Sequence, residues 1–371
     1  MFDVTLSDAP APPAGTVPNL DRTFRNVAAG TVPKRKQTGN AAAVGSVLDA
    51  IGNTPTVRLR RLCQRTDLSI FGKLELCNPG GSMKDRPSRA MLEAAIADGR
   101  LRPGMTVVES SSGNMGIGLA QACAYYRYRF VCVVDPRTQT TNIDVMRAYG
   151  AEIDLVSEPD AASGDFLTAR MNRVRQHVAE GCGKVFWPNQ YENDANPAAH
   201  AAGTARELNE AAGGLDLLLV ATSTTGTIGG CLDYFRAESP DTQVVAVDAA
   251  GSVLFGGSPG PRMISGLGAG RIPALAESLQ PDDVYRVTDL DCVVGCRRLV
   301  RAEAILAGGS AGGLVHVLHR LAPTLPLGTR VGMILADGGS RYLHTVYNDD
   351  WVESVTGCNA ETLEHLVREI A

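Results

Sequence analysis

One lysine lies in a stretch suited to presenting a reactive amine. The run Asn78-Pro79-Gly80-Gly81-Ser82-Met83-Lys84-Asp85-Arg86-Pro87 is a glycine-rich turn, and it delivers Lys84 to a helix read over residues 90–96. Three later segments offer complementary groups. In Glu109-Ser110-Ser111-Ser112-Gly113-Asn114-Met115-Gly116, a strand read over 106–108 gives way to a helix. A loop entering a helix N-terminus has unpaired N–H groups and the positive dipole end, so it suits a carboxylate or a phosphate. Ser111 and Ser112 add hydroxyl donors, and Asn114 can donate or accept. The same residues also suit a simple capping turn.

The third segment, Ser223-Thr224-Thr225-Gly226-Thr227, sits between an apolar strand and a helix. Hydroxyls and backbone amides crowded at a helix start form a cup for a phosphate dianion. No lysine lies within it, so it is not a Walker-type nucleotide loop. The fourth, Ala307-Gly308-Gly309-Ser310-Ala311-Gly312-Gly313, is another small-residue turn before a helix. Together the four segments suit pyridoxal 5′-phosphate, held as a Schiff base on Lys84 with Ser310 at the ring nitrogen. A neutral serine leaves that nitrogen largely unprotonated and the ring a weaker electron sink. Such a ring favours β-elimination over transamination.

These loops need a scaffold of alternating strands and helices, and the hydrophobic pattern supplies one. Apolar runs at 105–109, 129–134, 152–156, 215–221, 243–248 and 330–336 alternate with helical periodicity at 116–125, 141–149, 228–238 and 312–321. Short, continuously apolar strands are those buried on both faces. Their alternation with helices predicts an α/β protein of parallel-rich sheets flanked by helices. Two clusters of such units predict a smaller N-terminal domain over residues 78–189 and a larger domain of 45–77 plus 190–371. Residues 1–44 hold five of the chain's 20 prolines and no sustained periodicity, and they read as a flexible extension. The tail over 361–370 reads as a peripheral helix.

Composition excludes several function classes. A net charge of −5 argues against binding nucleic acid or an anionic membrane, and no apolar run is long enough to span a bilayer. Nine scattered cysteines and no secretory signal suit reduced thiols in the cytoplasm. Cys292 and Cys296 lack a second pair, and His316 and His319 have no nearby carboxylate in sequence, so no metal site is expected.

The segments at 51–55, 78–86, 112–116, 266–270 and 308–312, in this order, resemble the β-family (fold type II) of pyridoxal phosphate enzymes, the cysteine synthase and cystathionine β-synthase group. The resemblance covers about residues 45–350. It implies that Lys84 forms the internal aldimine and that Asn114 bonds the cofactor's 3′-oxygen. Ser223, Thr224, Thr225, Gly226 and Thr227 would hold the phosphate, and Ser310 would face the ring nitrogen. The loop residues Ser111, Ser112, Gly113 and Met115, with Gln190, would grip the substrate. A homodimer whose smaller domain closes over the site is also implied.

The chain departs from plain cysteine synthases at Met115, Tyr191, Arg271 and the hydroxyl-rich loop 223–227. An added tyrosine hydroxyl and arginine suggest a more anionic substrate than O-acetylserine and sulfide. Tyr191 and Arg271, with Arg170 behind them, are the candidates to bind it. These variants, with segments 134–136, 249–256 and 337–342, look most similar to the branch that joins O-phospho-L-serine to L-glutamate. That branch works through an aminoacrylate, releases phosphate, and serves 2,3-diaminopropionate formation in siderophore biosynthesis. The alternatives are a cysteine or cystathionine synthase with a thiol nucleophile, or a pseudo-enzyme that binds a partner peptide.

Overall fold

The computed structural model describes residues 43–369. The expected extension over 1–44 lies outside the described residues except at its last two positions. Two sheets organise the chain, and their order follows from where each crossover helix returns. The smaller holds β3 (Thr106–Ser110), β4 (Arg129–Val134), β5 (Glu152–Leu155) and β6 (Val185–Phe186) in the order β5-β4-β3-β6, all parallel. The larger holds β1 (Thr56–Arg58), β2 (Ser69–Leu74), β7 (Leu217–Ala221), β8 (Gln243–Ala249), β9 (Asp283–Val287) and β10 (Arg330–Leu335), in the order β1-β2-β10-β7-β8-β9. Only β1 runs antiparallel, pairing Val57 with Gly72 on β2. Parallel pairing elsewhere obliges a crossover between neighbours, and α1 (Asp85–Ala97), α2 (Asn114–Tyr126), α3 (Thr140–Ala148) and α4 (Phe166–Glu180) pack around the smaller sheet.

Strand order reverses at β3, which has β4 on one side and β6 on the other, and again between β7 and β10. In open α/β sheets, ligands bind beyond the carboxyl ends of strands at such switch points. The loops after β3, β7 and β10 are the ones carrying residues 111–115, 223–227 and 337–342. Leu218, Leu219 and Val220 on β7 are fully buried, as a strand covered on both faces requires.

The remaining helices are α5 (Ala195–Ala199), α6 (Arg206–Ala212), α7 (Gly226–Glu238), α8 (Asp289–Glu303), α9 (Gly309–Leu321), α10 (Asp349–Thr356) and α11 (Ala360–Arg368). A π-helical stretch, His200–Ala205, joins α5 to α6. Gly312 of α9 lies against α8 so closely that a Cβ would overlap the carbonyl oxygen of Cys292. The tail forms the expected helix, exposed over most of its surface with one face packed inward. Leu363 and Val367 of α11 are buried in the core of the larger sheet, because their spacing of four places both on one face.

Periodicity placed the helix after the lysine turn at residue 90, but α1 begins at Asp85. Pro87 is tolerated there because the first helical turn needs no amide donors. A buried charge cluster fixes this helix start. Arg86 donates from Nε and Nη2 to the two oxygens of Glu75 at 2.7 and 2.8 Å, and from Nη1 and Nη2 to those of Glu207 at 2.8 and 2.7 Å. Lys73 Nζ reaches Glu207 at 2.7 Å and donates to the Thr54 carbonyl at 2.6 Å. Burial pushes the Glu207 carboxyl up, but its bonds from Arg86 and Lys73 win and hold it at about 2. The cluster ties α1 to β2 and α6. Arg86→Ala strands Glu75 without a counter-charge, so stability should fall by about 3–5 kcal/mol, measured as a lower urea midpoint at unchanged slope.

Candidate active site

Lys84 is the residue just before α1, and it lines a cleft with Ser111, Asn114, Arg170, Gln190 and Thr224. Its ammonium has no hydrogen bond among the described residues. Burial pulls its pKa from 10.5 down to about 8, against the opposing charge of Asp337. A lysine so poised has a substantial neutral fraction near physiological pH, as a Schiff-base or proton-transfer lysine needs.

The loop 111–115 serves as both capping turn and cleft wall. Ser111 Oγ accepts from the Gly116 amide at 2.9 Å and the Gly113 amide at 3.3 Å. Ser111, Ser112, Gly113, Asn114 and Met115 all face the cleft. Asn142 Nδ2 donates to the Ser112 carbonyl at 3.1 Å and steadies the loop from α3. Beneath it, Glu109 is fully buried. Its carboxylate accepts from the Ser110 amide at 2.8 Å, Trp187 Nε1 at 3.1 Å and the Gln190 amide at 3.3 Å. Burial nevertheless pushes its pKa up to about 7.

The cup at 223–227 opens α7. Thr225 holds a left-handed φ of 64° and brings the helix start round. Thr224 Oγ1 is buried with no hydrogen-bond partner among the described residues. Thr227 Oγ1 lies 3.3 Å from His200 Nε2, and His200 Nδ1 lies 3.0 Å from Thr204 Oγ1. Gly226 faces Asn196 so closely that a Cβ would overlap it. Ser223 Oγ donates to the Gly268 carbonyl at 3.1 Å. An unpartnered hydroxyl, free first-turn amides and a neighbouring amine fit pyridoxal 5′-phosphate. Lys84 would hold its aldehyde carbon, and residues 223–227 its phosphate.

Other expected residues are distributed unequally. Tyr191 and Gln190 line the cleft with Arg170. Arg170 is buried, its Nε is 3.2 Å from Asp135, and neither Nε nor Nη1 has an aligned hydrogen bond. Burial pushes the Tyr191 hydroxyl up to about 12, with Arg170 opposing, so it stays neutral. Arg271 lies outside the cleft, on an exposed loop beside a second cavity. Ser310 is buried in the first turn of α9 and is not among the side chains lining the cleft.

The structure adds a hub that sequence reasoning quoted only as part of a family-like segment. The Asp337 carboxylate, buried just beyond β10, accepts from Tyr342 Oη at 2.6 Å and Asn114 Nδ2 at 2.8 Å. Arg341 also donates to Asn114 Oδ1. The Asp337 carbonyl accepts from the Gly308 amide at 3.0 Å, and its strand bridge pairs it with Ser82. The lysine turn, the loop 111–115 and the turn before α9 therefore meet at one residue. An aspartate directly following an apolar strand was the available signal. His200 and Asn196 gave none, since both lie in a helical stretch far from any motif.

The histidines on α9 are not isolated, because folding brings Asp291 within 3.2 Å of His316. Among the described residues no group of side chains could hold a metal ion, and no helix is long and apolar enough to cross a membrane. In the cofactor-free chain, labelling of Lys84 by an amine reagent should show a midpoint near pH 8. Asp337→Asn should lower it further, because a neighbouring negative charge stabilises the ammonium. Peptide mass spectrometry of the labelled lysine reads this, and a midpoint near 10.5 would overturn it.

Comparison with known proteins gives concordant results. A family model described as "Pyridoxal-phosphate dependent enzyme" matches residues 47–337. The chain is 44% identical over 316 residues to an N-(2-amino-2-carboxyethyl)-L-glutamate synthase of Ralstonia nicotianae, covering 85% of this chain and 93% of that one. A protein of the same name from Cupriavidus metallidurans is 42% identical over 319 residues, with the same coverage. Among solved structures, O-acetylserine sulfhydrylase isoform 3 of Entamoeba histolytica superposes with a TM-score of 0.78 at 30% identity, covering 90% of this chain and 98% of that one.

Proposed function

The chain belongs to the pyridoxal-phosphate dependent enzymes, and from that premise we propose that it joins O-phospho-L-serine to L-glutamate, releasing phosphate and forming N-(2-amino-2-carboxyethyl)-L-glutamate. The reaction is a β-replacement. The Cβ–O bond of phosphoserine breaks, phosphate leaves with the bond electrons, and the glutamate amine forms a Cβ–N bond and loses a proton. When bound, the cofactor supplies an electron sink for the carbanion at Cα.

The chain's own residues do the rest. Lys84 Nζ, held near neutrality by burial, takes the Cα proton and later returns it. Ser111, Ser112, Gly113 and Met115, with Gln190, bind the substrate carboxylate at the start of α2, where amides and dipole favour an anion. Asn114, which lines the cleft, would hold the cofactor's 3′-oxygen; the family resemblance gives the ring nitrogen to Ser310, which is buried in the first turn of α9 outside the cleft lining. Asn114 gives one amide N–H to Asp337 and keeps a second with which it could meet the 3′-oxygen.

One observation carries the choice of donor. Arg170 is a buried guanidinium in the lysine cleft with two nitrogens unsatisfied. A neutral acetyl ester offers it only an uncharged carbonyl acceptor, whereas a phosphate ester offers the charged oxygens a guanidinium bonds more strongly. The names of the relatives in Ralstonia and Cupriavidus give the product that the proposed coupling would form. A cytoplasmic homodimer is part of this proposal, supported by nine free cysteines and by the family resemblance. Supply of 2,3-diaminopropionate for siderophores is the pathway role the reading carries.

The holoenzyme given phosphoserine and glutamate should release phosphate and yield the coupled amino acid by mass. Faster turnover with sulfide or homocysteine would favour the thiol alternative. Lys84→Ala should lose all turnover and the visible absorbance of the bound cofactor. Arg170→Gln should raise the KM for phosphoserine roughly ten- to hundredfold, the worth of about 1.5–3 kcal/mol for a charged hydrogen bond.

A further inference from the structure

Tyr191 borders two cavities. On one side is the lysine cleft, and on the other a smaller chamber holding Arg175, Arg271 and Glu192. The chamber is built from two elements. On α4, Leu167, Met171 and Arg175 recur every four residues and so share one face. The loop around Arg271 is tied to the dividing wall, where the Leu275 amide donates to the Tyr191 carbonyl at 3.2 Å.

The charges in this chamber are unequally matched. Arg271 makes no hydrogen bond or ion pair among the described residues. Arg175 donates only to the neutral Asn172 Oδ1, at 2.9 Å. Glu192, the one carboxylate, already accepts from Asn189 Nδ2 at 2.8 Å. Two guanidinium groups thus face one cavity with no anion bonded to either. The buried Arg170 is separate, since it faces the lysine cleft and contacts Asp135.

We infer that the Arg175–Arg271 chamber is the subsite for the nucleophile's distal carboxylate, so that the second substrate is an amino dicarboxylate entering past Tyr191. This rests on the reading of the chain as a β-replacement enzyme with an amine nucleophile. Once the donor occupies the inner cleft, with its carboxylate at the α2 start and its phosphate at Arg170, the nucleophile has to reach Cβ from an adjoining space. A glutamate amine directed at Cβ trails a γ-carboxylate at the far end of its side chain. Guanidinium pairs recognise carboxylates through parallel N–H donors. Tyr191, neutral and shared by both spaces, is the dividing wall at which the two substrates meet.

Steady-state kinetics of the holoenzyme test this with Arg175→Gln, Arg271→Gln and the double variant. Both arginines are exposed, so the fold should tolerate the changes. The KM for glutamate should rise at least about tenfold more than the KM for phosphoserine, and the preference for glutamate over glutamine should collapse in the double variant. Equal shifts for both substrates, or an undiminished preference for glutamate, overturn the subsite while leaving the proposed reaction standing. A wild-type enzyme that couples only thiols overturns both.

Discussion

Placing a reactive amine at a helix start requires that the start not move, and here Arg86 meets the requirement. Its guanidinium is two residues past Lys84 and bonds both Glu75 and Glu207 inside the protein. Charges removed from water are costly unless well paired, so the arrangement tolerates little displacement. The backbone of α1 is thereby clamped to β2 and α6 of the larger sheet. The neighbouring arginine does the holding, and the Lys84 ammonium makes no hydrogen bond among the described residues.

Around that anchor the site gathers unsatisfied groups. Among the described residues the Lys84 ammonium has no hydrogen bond, Thr224 has a buried unbonded hydroxyl, and Arg170 has two unaligned nitrogens. Native proteins rarely leave buried polar groups unmet, and the buried Thr224 and Arg170 beside the partly buried Lys84 suit the proposed reading of a phosphate, a further anion and an aldehyde. Asp337 works in the opposite way. One of its oxygens accepts from both Tyr342 and Asn114, and its backbone holds the turn before α9. Burial raises its carboxyl, yet those bonds and the nearby Arg341 and Lys84 favour its charged form.

The positive groups also sort by depth. Arg170 is buried beside Asp135, whereas Arg175 and Arg271 are exposed beyond Tyr191. Buried and exposed guanidiniums differ in how strongly they demand an anion, since water screens the latter. A reaction between two anionic substrates needs both environments. In the proposed reaction the inner one would desolvate the leaving group, and the outer one would select the incoming amine.

Sequence alone determined the alternation of strands and helices, the order of the loops and the identity of Lys84. Each of these is local: an apolar run, a glycine turn, a cluster of hydroxyls. The starts of the helices were misplaced consistently. α1, α2, α7 and α9 each begin two to five residues before their apolar periodicity, because small and polar first-turn residues carry no hydrophobic signal. Asn114, Gly226, Thr227 and Ser310 are therefore first-turn residues, not loop residues. β2 and α4 escaped notice for a related reason: one carries a buried lysine, the other is rich in charge. Only tertiary structure decided that Asp337 joins three segments, that His200 supports Thr227, and that Arg170 rather than Arg271 faces the lysine. Those are contacts between residues from about 25 to over 200 positions apart, and side-chain type does not encode which distant partner a strand order will bring alongside.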